Sequence, residues 1–304
     1  IDLGFYACNF PESVGGAGLS HVDFTLVERE LGRGSMALTH FFGRPQNILM
    51  ACNDEQRERY LLPAVRGERM DALAMTEPDA GSDVRGMKCS AVRDGGDWVL
   101  NGTKHFISHA DVSDFVILFA STGVEDTPRG PKKKITSFLV DMGTPGFTVE
   151  PGYNSVSHRG YQNCILNFDN CRIHESQILG VEDHGFDVAN EWLGGTRLSV
   201  AAMCLGRAER ALEITALGND YTPVSDILDE KAFVNGLVGL MATGGSTNLV
   251  LHLPAMAHEA GIEFTLQDVC DIFRDTPYFV DMKPGGSHVA KDLYDAGGVP
   301  VVMK

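Results

Sequence analysis

The chain has 304 residues, of which 43% are hydrophobic, and it carries a formal net charge of −16. This length and composition are typical of a globular protein with one large or two ordinary domains. No apolar run approaches the roughly 20 residues of a membrane-spanning helix. Nucleic-acid binding is not expected, because the one basic cluster, Lys132-Lys133-Lys134, is typical of a solvated loop.

Seven cysteines are scattered along the sequence, and none of them form a C-x-x-C pair. An odd number without metal-ligand spacing argues against a disulfide scaffold or a zinc site and predicts reduced thiols in a cytoplasmic protein. The first residues carry no initiator Met and no signal-like segment, so we predict a fragment that begins inside a domain.

Residues 1–70 have a helical pattern. Ser20 and Asp23 have the form of a capping box, and Phe24, Val27 and Leu31 follow at helical spacing. A second helix is predicted from about Asp54, and the apolar residues 36–51 predict a buried helix between the two, interrupted at Pro45.

Residues 71–173 have a strand pattern instead. Four short β-branched or aromatic segments stand out: residues 98–100, 115–120, 136–140 and 164–168. The turn residues 94–97 and the pair Asn101-Gly102 are typical of hairpins. Since no helical pattern intervenes, we predict an antiparallel sheet or barrel, without a Rossmann or P-loop nucleotide site.

The pattern is helical again from Gly180, with a helix expected through residue 214 and close packing expected at Gly194-Gly195. A stop signal follows at residues 216–223. Residues 244–248 could bind an anion or simply link two helices, and the link is favoured. Thr265 opens another predicted helix, on which Cys270 is predicted to be a buried small hydrophobe.

Residues 73–83 form a loop with functional potential. Pro78 imposes a turn and Gly81 can adopt unusual dihedrals, which leaves exposed backbone N–H groups together with the hydroxyls of Thr76 and Ser82. Such a loop suits a flat polar ring or a phosphate. A plain surface turn remains the alternative.

Together with residues 101–108, and with residues 168–173 followed by Leu179-Gly180, this loop resembles the acyl-CoA dehydrogenase family over about residues 1–213. The resemblance implies an α+β fold, with an N-terminal helical domain and an antiparallel β-barrel-like middle domain. It implies FAD as cofactor, bound between the middle domain and a C-terminal helical domain. It also implies α,β-dehydrogenation of an acyl-CoA thioester, with electrons passing to an electron-transferring flavoprotein.

The resemblance implies flavin contacts for seven residues: Leu73, Met75, Thr76, Ser82, Phe106, Ile107 and Ser108. Thr76 would bond the edge of the isoalloxazine ring, and Ser82 would also bind the thioester substrate. Phe106, Ile107 and Ser108 stand where the family often has Trp-Ile-Thr, and they keep an aromatic face and a hydroxyl. Without the resemblance, Phe106 would be interpreted as core.

Arg197 stands at the family's substrate-side arginine, where it could stabilise a developing enolate. The alternative is an arginine that extends into solvent. Thr196 stands where a subset of the family keeps a catalytic glutamate, and threonine cannot accept the proton. The usual base lies in the last helical domain, which this sequence lacks, so the catalytic base is unknown and we predict weak FAD binding with little turnover.

Residues 233–248 and the segments after them resemble the dihydroxy-acid and phosphogluconate dehydratases, lyases that use an iron–sulfur cluster and Mg²⁺. The cluster ligands of that family precede the matched region, and a single cysteine cannot hold a cluster. We predict a chimera, with seams near residues 207–216 and 246–248.

Four domains are predicted: a helical domain at 1–70 truncated at its start, a β middle domain at 71–180, the first helix of a truncated C-terminal domain at 181–215, and a mostly helical dehydratase-like segment at 216–304. The favoured function is that of an impaired acyl-CoA dehydrogenase, and the chain could form a homo-oligomer. A dehydratase and an inactive hybrid with exposed apolar faces are the alternatives.

Overall fold

The structure, a computed structural model, describes residues 4–34, 45–81, 84–128, 130–153, 160, 162–216, 226, 228–246, 248–283 and 286–302. These divide into two compact units, residues 1–211 and 212–304.

The α-helices up to residue 216 are α1 (His21–Gly32), α2 (Asp54–Gln56), α3 (Leu62–Val65) and the long α4 (Gly185–Ala216). A π-helical turn (Arg57–Leu61) lies between α2 and α3. Four 3₁₀ turns are found at Glu12–Val14, Asn47–Ala51, Val84–Gly86 and Glu175–Gln177. The predicted helix starts are confirmed, because the Ser20 side chain accepts from the Asp23 N–H at 3.2 Å and Asn53 caps α2. Most of the helix predicted over 36–51 lies outside the described residues. No described helix combines the length and apolarity needed to cross a membrane.

The strands are β1 (Asp71–Ala74), β2 (Ser90–Asp94), β3 (Asp97–Ser108), β4 (Phe115–Thr127), β5 (Gly130–Asp141), β6 (Phe147–Tyr153), β7 (Asn163–His174) and β8 (Ile178–Leu179). They form one sheet in the order β6-β7-β3-β2-β4-β5-β8, and β1 pairs with β4. The four predicted strand segments are confirmed as parts of β3, β4, β5 and β7.

The sheet is mixed, so the purely antiparallel prediction is wrong. Strand β4 pairs in parallel with β1 and with β2. Parallel neighbours need a long crossover, and here the β2–β3 hairpin lies between β1 and β4 in place of a helix. The end strands β6 and β8 do not pair with each other among the described residues, so the barrel prediction is not supported and the sheet is curled.

The two predicted hairpin turns have different outcomes. Asp94 pairs with Asp97 across Gly95-Gly96, as predicted. The prediction of a hairpin at Asn101-Gly102 is wrong, because both residues lie inside β3, where the register with β7 shifts. Gly102 has φ 141°, and a Cβ there would lie 2.7 Å from Cys89 Cα. This glycine therefore permits a β-bulge against a neighbouring strand.

Strand β4 separates two hydrophobic cores. Phe115, Ile117 and Phe119 pack with the helical residues, whereas the alternate residues from Val116 to Ala120 pack into a second core within the sheet. Side chains alternate between the faces of a strand, so a strand that is buried on both faces joins the helical layer to the sheet. This arrangement supports the loop that follows β1.

Helices α1 and α4 pack with almost no space between their backbones. A Cβ on Gly206 of α4 would lie 1.8 Å from the Arg29 carbonyl oxygen of α1, and a Cβ on Gly32 of α1 would lie 2.3 Å from the Met203 carbonyl oxygen. The Arg29 guanidinium also donates to the Glu209 carboxylate. The close approach therefore occurs at Gly206. The prediction of close packing at Gly194-Gly195 is wrong, because a Cβ at either residue would meet nothing within 4 Å.

Gly206→Ala is expected to destabilise the first unit by about 1–3 kcal/mol, because the helices must separate to admit the methyl group. Gly194→Ala is the matched control on the same helix. A Cβ at Gly194 meets nothing within 4 Å, and alanine favours helix by about 1 kcal/mol. Urea unfolding of the two variants should give shifts of opposite sign, and a neutral Gly206→Ala would contradict the packing described.

Residues 212–304 form a small helical unit with α5 (Glu230–Thr243), α6 (Asn248–Glu259), α7 (Leu266–Asp275), α8 (Ala290–Asp295) and α9 (Val299–Val302). Its core contains Phe233, Leu237, Leu240, Ala257, Phe264 and Val269. The predicted capping box at Thr265 is confirmed. The prediction of a buried Cys270 is wrong, since Cys270 is exposed. The inward face of α7 is formed by Val269, Ile272 and Phe273, and position 270 lies off that stripe.

Candidate functional site

A cavity of about 550 Å³ lies in the first unit, where α1, α4, the end of β1 and the end of β3 meet. Its walls are mostly apolar, with several polar side chains among them. They are formed by Asn9, Leu19, His21, Phe24, Thr25, Glu28, Pro45, Gln46, Asn47, Leu73, Met75, Thr76, Phe106, Ile107, Ser108, Leu193, Gly195, Thr196, Leu198, Ser199, Val200 and Met203. A largely apolar cavity with a few convergent polar groups is the usual form of a small-molecule site.

The cavity brings together six of the seven residues predicted to contact flavin: Leu73, Met75, Thr76, Phe106, Ile107 and Ser108. The seventh, Ser82, lies outside the described residues. Arg197 is exposed and does not line the described cavity, although its neighbours Thr196 and Leu198 do. The binding roles of all these residues stay predictions.

A buried ion pair holds the loop that carries Met75 and Thr76. Lys104 Nζ donates to the Met75 carbonyl at 2.9 Å and to Glu77 Oε1 at 2.8 Å. The Lys104 side chain is 0% exposed and that of Glu77 is 4% exposed. The Glu77 carboxylate also accepts from the backbone N–H groups of Lys88 and Cys89. A buried charge pair that is also hydrogen-bonded to the backbone on both sides imposes one geometry on the loop.

A second β-bulge places Phe106 at the cavity. The register between β3 and β7 shifts between Lys104 and Ile107, and Phe106 has φ 59°. A positive φ is uncommon for a bulky residue, and such strain often marks a functional position. Phe106 is 54% exposed, so interpreting it as core is wrong, and its ring stacks on Tyr153 at 4.8 Å. The bulge therefore presents an aromatic surface to the cavity.

The hydroxyl and backbone groups beside Phe106 are also fixed. The Ser108 hydroxyl donates to Asn163 Oδ1 at 3.1 Å, and its oxygen can still accept. The His105 N–H donates to the Thr76 carbonyl at 2.8 Å, which joins the loop to β3. The Tyr153 hydroxyl lies 3.1 Å from His105 Nδ1, and burial lowers the pKa of His105.

Glu28 is a cavity residue that the sequence patterns did not single out. It lies on α1 between Phe24 and Leu31, on the apolar stripe of the helix, and only 4% of it is exposed. Burial raises its pKa from 4.5 to about 7. The spacing from Phe24 was a usable signal, since a glutamate four residues after an aromatic residue of the helix shares its face.

The cysteines offer no cluster within the described residues, where no group of three His, Cys, Asp or Glu side chains could hold a metal ion. Burial raises the pKa of the Cys89 thiol to about 11 and that of Cys52 to about 12. Both thiols are therefore protonated and unreactive near neutral pH.

Three family models match consecutive parts of the chain. Residues 1–68 match the acyl-CoA dehydrogenase N-terminal domain, and residues 72–171 match the acyl-CoA dehydrogenase middle domain. Residues 196–304 match the dihydroxy-acid/6-phosphogluconate dehydratase N-terminal model. The predicted join of two families is confirmed by these matches, and the positions of the seams stay predictions.

Individual relatives divide in the same way. A mitochondrial isovaleryl-CoA dehydrogenase of Pongo abelii is 34% identical over 219 residues, which are 70% of this chain and 51% of the relative. A dihydroxy-acid dehydratase of Dinoroseobacter shibae is 72% identical over 79 residues, 26% of this chain and 14% of the relative. Thus the chain spans about half the length of the dehydrogenase it matches.

A solved structure described as a probable acyl CoA dehydrogenase from Mycobacterium abscessus is similar with a TM-score of 0.66 and 27% identity. The match covers 86% of this chain and 66% of that chain. The fold described here is therefore of the acyl-CoA dehydrogenase type.

Proposed function

We propose that the cavity binds the isoalloxazine ring of FAD beside an acyl-CoA thioester, because residues 1–68 and 72–171 match the N-terminal and middle domains of the acyl-CoA dehydrogenase family. The chain would then be a flavin-dependent oxidoreductase of the acyl-CoA dehydrogenase type. The supporting observation is the convergence of six predicted flavin contacts, from two separate sequence segments, on one cavity.

The residues present fit a flat, partly polar ring. A cavity of about 550 Å³ lies within the range of roughly 300–1,000 Å³ that is usual for small-molecule sites. Phe106 offers a half-exposed aromatic face, and the hydroxyls of Thr76 and Ser108 provide polar contacts at the same wall. An aromatic face pairs well with an offset flat ring.

The chain's own residues would act by positioning. Lys104 and Glu77 hold the Met75–Thr76 backbone, and the bulge holds Phe106, so both ring contacts are preorganised. Bound FAD would supply the acceptor for a hydride from the β-carbon of the acyl group. Arg197 is proposed to act only if the thioester reaches it, because its side chain is exposed and outside the described cavity lining. The base for the α-proton is not among the residues predicted.

Impaired turnover is also part of the proposal. The usual base belongs to the C-terminal helical domain, and the model that matches residues 196–304 is of dehydratase type instead. We expect weak FAD binding and slow turnover, since a positioned proton acceptor commonly contributes a factor of about 10²–10⁴ to the rate. An acyl-CoA substrate, an electron-transferring flavoprotein as partner and a homo-oligomer remain proposals. The dehydratase match covers too little of that relative, 14%, to support a second proposal.

Phe106→Ala is expected to weaken FAD binding about tenfold, because the stacking surface is lost. Phe106→Trp should retain it, since the aromatic face remains. Val124→Ala, which truncates an exposed residue of β4, is the control. Quenching of flavin fluorescence during titration with the full chain gives the dissociation constants. Equal affinities for all these variants, or no binding by the wild-type chain, would refute the proposed flavin site.

A further inference from the structure

One hydrogen-bond acceptor on the cavity wall has no donor among the described residues. It is the Glu28 carboxylate, which is 4% exposed and has no hydrogen bond or ion pair with any described residue. An unmet buried polar atom destabilises a protein unless a ligand or water satisfies it.

The Glu28 side chain is fixed at the cavity wall. Gly32 lies one turn after Glu28 on the same side of α1, and α1 and α4 pack closely at Gly32 and Gly206. The carboxylate is therefore held in place rather than free to turn into solvent.

From this arrangement, and resting on the flavin function proposed above, we infer that the site takes acyl thioesters whose acyl part carries a hydrogen-bond donor, a hydroxyl or an amino group, which binds Glu28. The donor satisfies this unmet acceptor and orients the acyl chain within the cavity. Glu28 is thus a specificity-determining residue.

The charge of Glu28 decides which part of the ligand it contacts. The phosphates of coenzyme A and of FAD are anionic, and a carboxylate repels them. A saturated alkyl chain is neutral, but it would cover the Glu28 carboxylate without bonding it, which leaves a buried polar group unpaired and weakens binding. A donor-bearing acyl group avoids both penalties.

The test compares thioesters that differ only in that donor. Isothermal titration of the full chain, saturated with FAD, measures the dissociation constants of hexanoyl-CoA, 6-hydroxyhexanoyl-CoA and 6-aminohexanoyl-CoA. Butanoyl-CoA and 4-hydroxybutanoyl-CoA are compared in the same way as a shorter pair. At least one hydroxyl or amino thioester is expected to bind about tenfold or more tightly than its plain counterpart. Glu28→Leu should abolish the preference, and Glu28→Gln, which keeps an acceptor oxygen, should retain it for the hydroxyl compound.

Thr25→Val is the matched control. Thr25 lines the same cavity from the same helix, and its hydroxyl already donates to the His21 carbonyl at 2.6 Å. This variant should keep the preference. If Glu28→Leu does not fold, the wild-type and Glu28→Gln titrations still decide the question.

The failures of the two proposals are distinguishable. Equal or tighter binding of the plain thioesters by the wild-type chain overturns the donor preference and leaves the flavin function standing. Loss of FAD affinity in Glu28→Leu, with the thioester preference intact, assigns Glu28 to the cofactor and also overturns it. Absence of binding by every thioester refutes the proposed function together with this inference.

Discussion

Lys104→Met is expected to lower the free energy of unfolding of the first unit by roughly 3–5 kcal/mol, the usual effect of removing one partner from a buried ion pair. Lys104 is completely buried and bonds both Glu77 and the Met75 carbonyl. Methionine has a similar length, so little volume is lost and the effect is electrostatic. The Glu77 carboxylate is left in the interior with two backbone N–H donors and no positive charge.

Urea unfolding measures this change, with Trp98 fluorescence as the probe in a Trp192→Phe background, because the chain has two tryptophans. Trp98 lies in β3 and is 2% exposed, so it reports on the strand that carries Lys104. Lys88→Met is the matched control, because Lys88 lies in the same connection between β1 and β2 as Glu77. The Lys88–Asp79 ion pair is at the surface, with the Lys88 side chain 73% exposed, and its loss should change stability by less than about 1 kcal/mol.

A double variant, Lys104→Met with Glu77→Gln, separates the unpaired charge from lost packing. If the stranded carboxylate dominates, the double variant should be more stable than Lys104→Met alone. A Lys104→Met protein as stable as the Lys88→Met protein would show that the pair does not hold the loop. The same variant should bind FAD more weakly, because Met75 and Thr76 lose their anchor.

Local patterns predicted the strands well, whereas pairing over long separations was not predictable. Residues 115–120 are apolar throughout and form the doubly buried part of β4, as the sequence indicates. The parallel pairing of Asp71 with Phe115 joins positions far apart in the chain. Hydrophobic periodicity does not encode a partner at that separation. Gly102 illustrates the same limit. The pair Asn101-Gly102 indicates a chain reversal, but β3 continues through it because the residues on both sides pair with β7.

The site residues that sequence reasoning missed are polar residues in apolar positions. Lys104 is fully buried although lysine is rarely found inside a protein, and its partner Glu77 lies 27 residues earlier. Glu28 was also missed, although its spacing from Phe24 and Leu31 was a usable signal that it shares their face of α1. The residues proposed by resemblance from the two segments line one cavity. They lie close together because the His105 N–H joins β3 to the Thr76 carbonyl of the loop.

Glu28→Gln is expected to stabilise the ligand-free chain by up to roughly 3 kcal/mol at pH 8 and to change its stability little near pH 4.5. The physical reason is that Glu28 has its pKa raised to about 7 from 4.5 by burial, so the folded protein binds a proton more tightly than the unfolded chain. As the pH rises from about 4.5 to 7, the unfolded chain gives up this proton first, and the free energy of unfolding of the wild type falls. Above pH 7 the full penalty of a buried, unpaired carboxylate remains, about 1.36 kcal/mol per pKa unit.

Glutamine removes this pH dependence because it stays neutral at every pH. His21 lines the same cavity, and the Glu28 carboxylate contributes to the raised pKa of Cys8. Both residues are unchanged in the variant, so the difference between the two proteins isolates the carboxyl group. Glu30→Gln is the control on the same helix, where the Glu30 side chain is 64% exposed beside Arg33, and a change within about 0.5 kcal/mol is expected. Urea unfolding at pH 5, 6, 7 and 8 should show the Glu28→Gln curve diverging upward from the wild type. A constant difference across this range would mean that Glu28 keeps its charge in the folded protein, held by a partner, and its carboxylate would then already be satisfied without the ligand's donor.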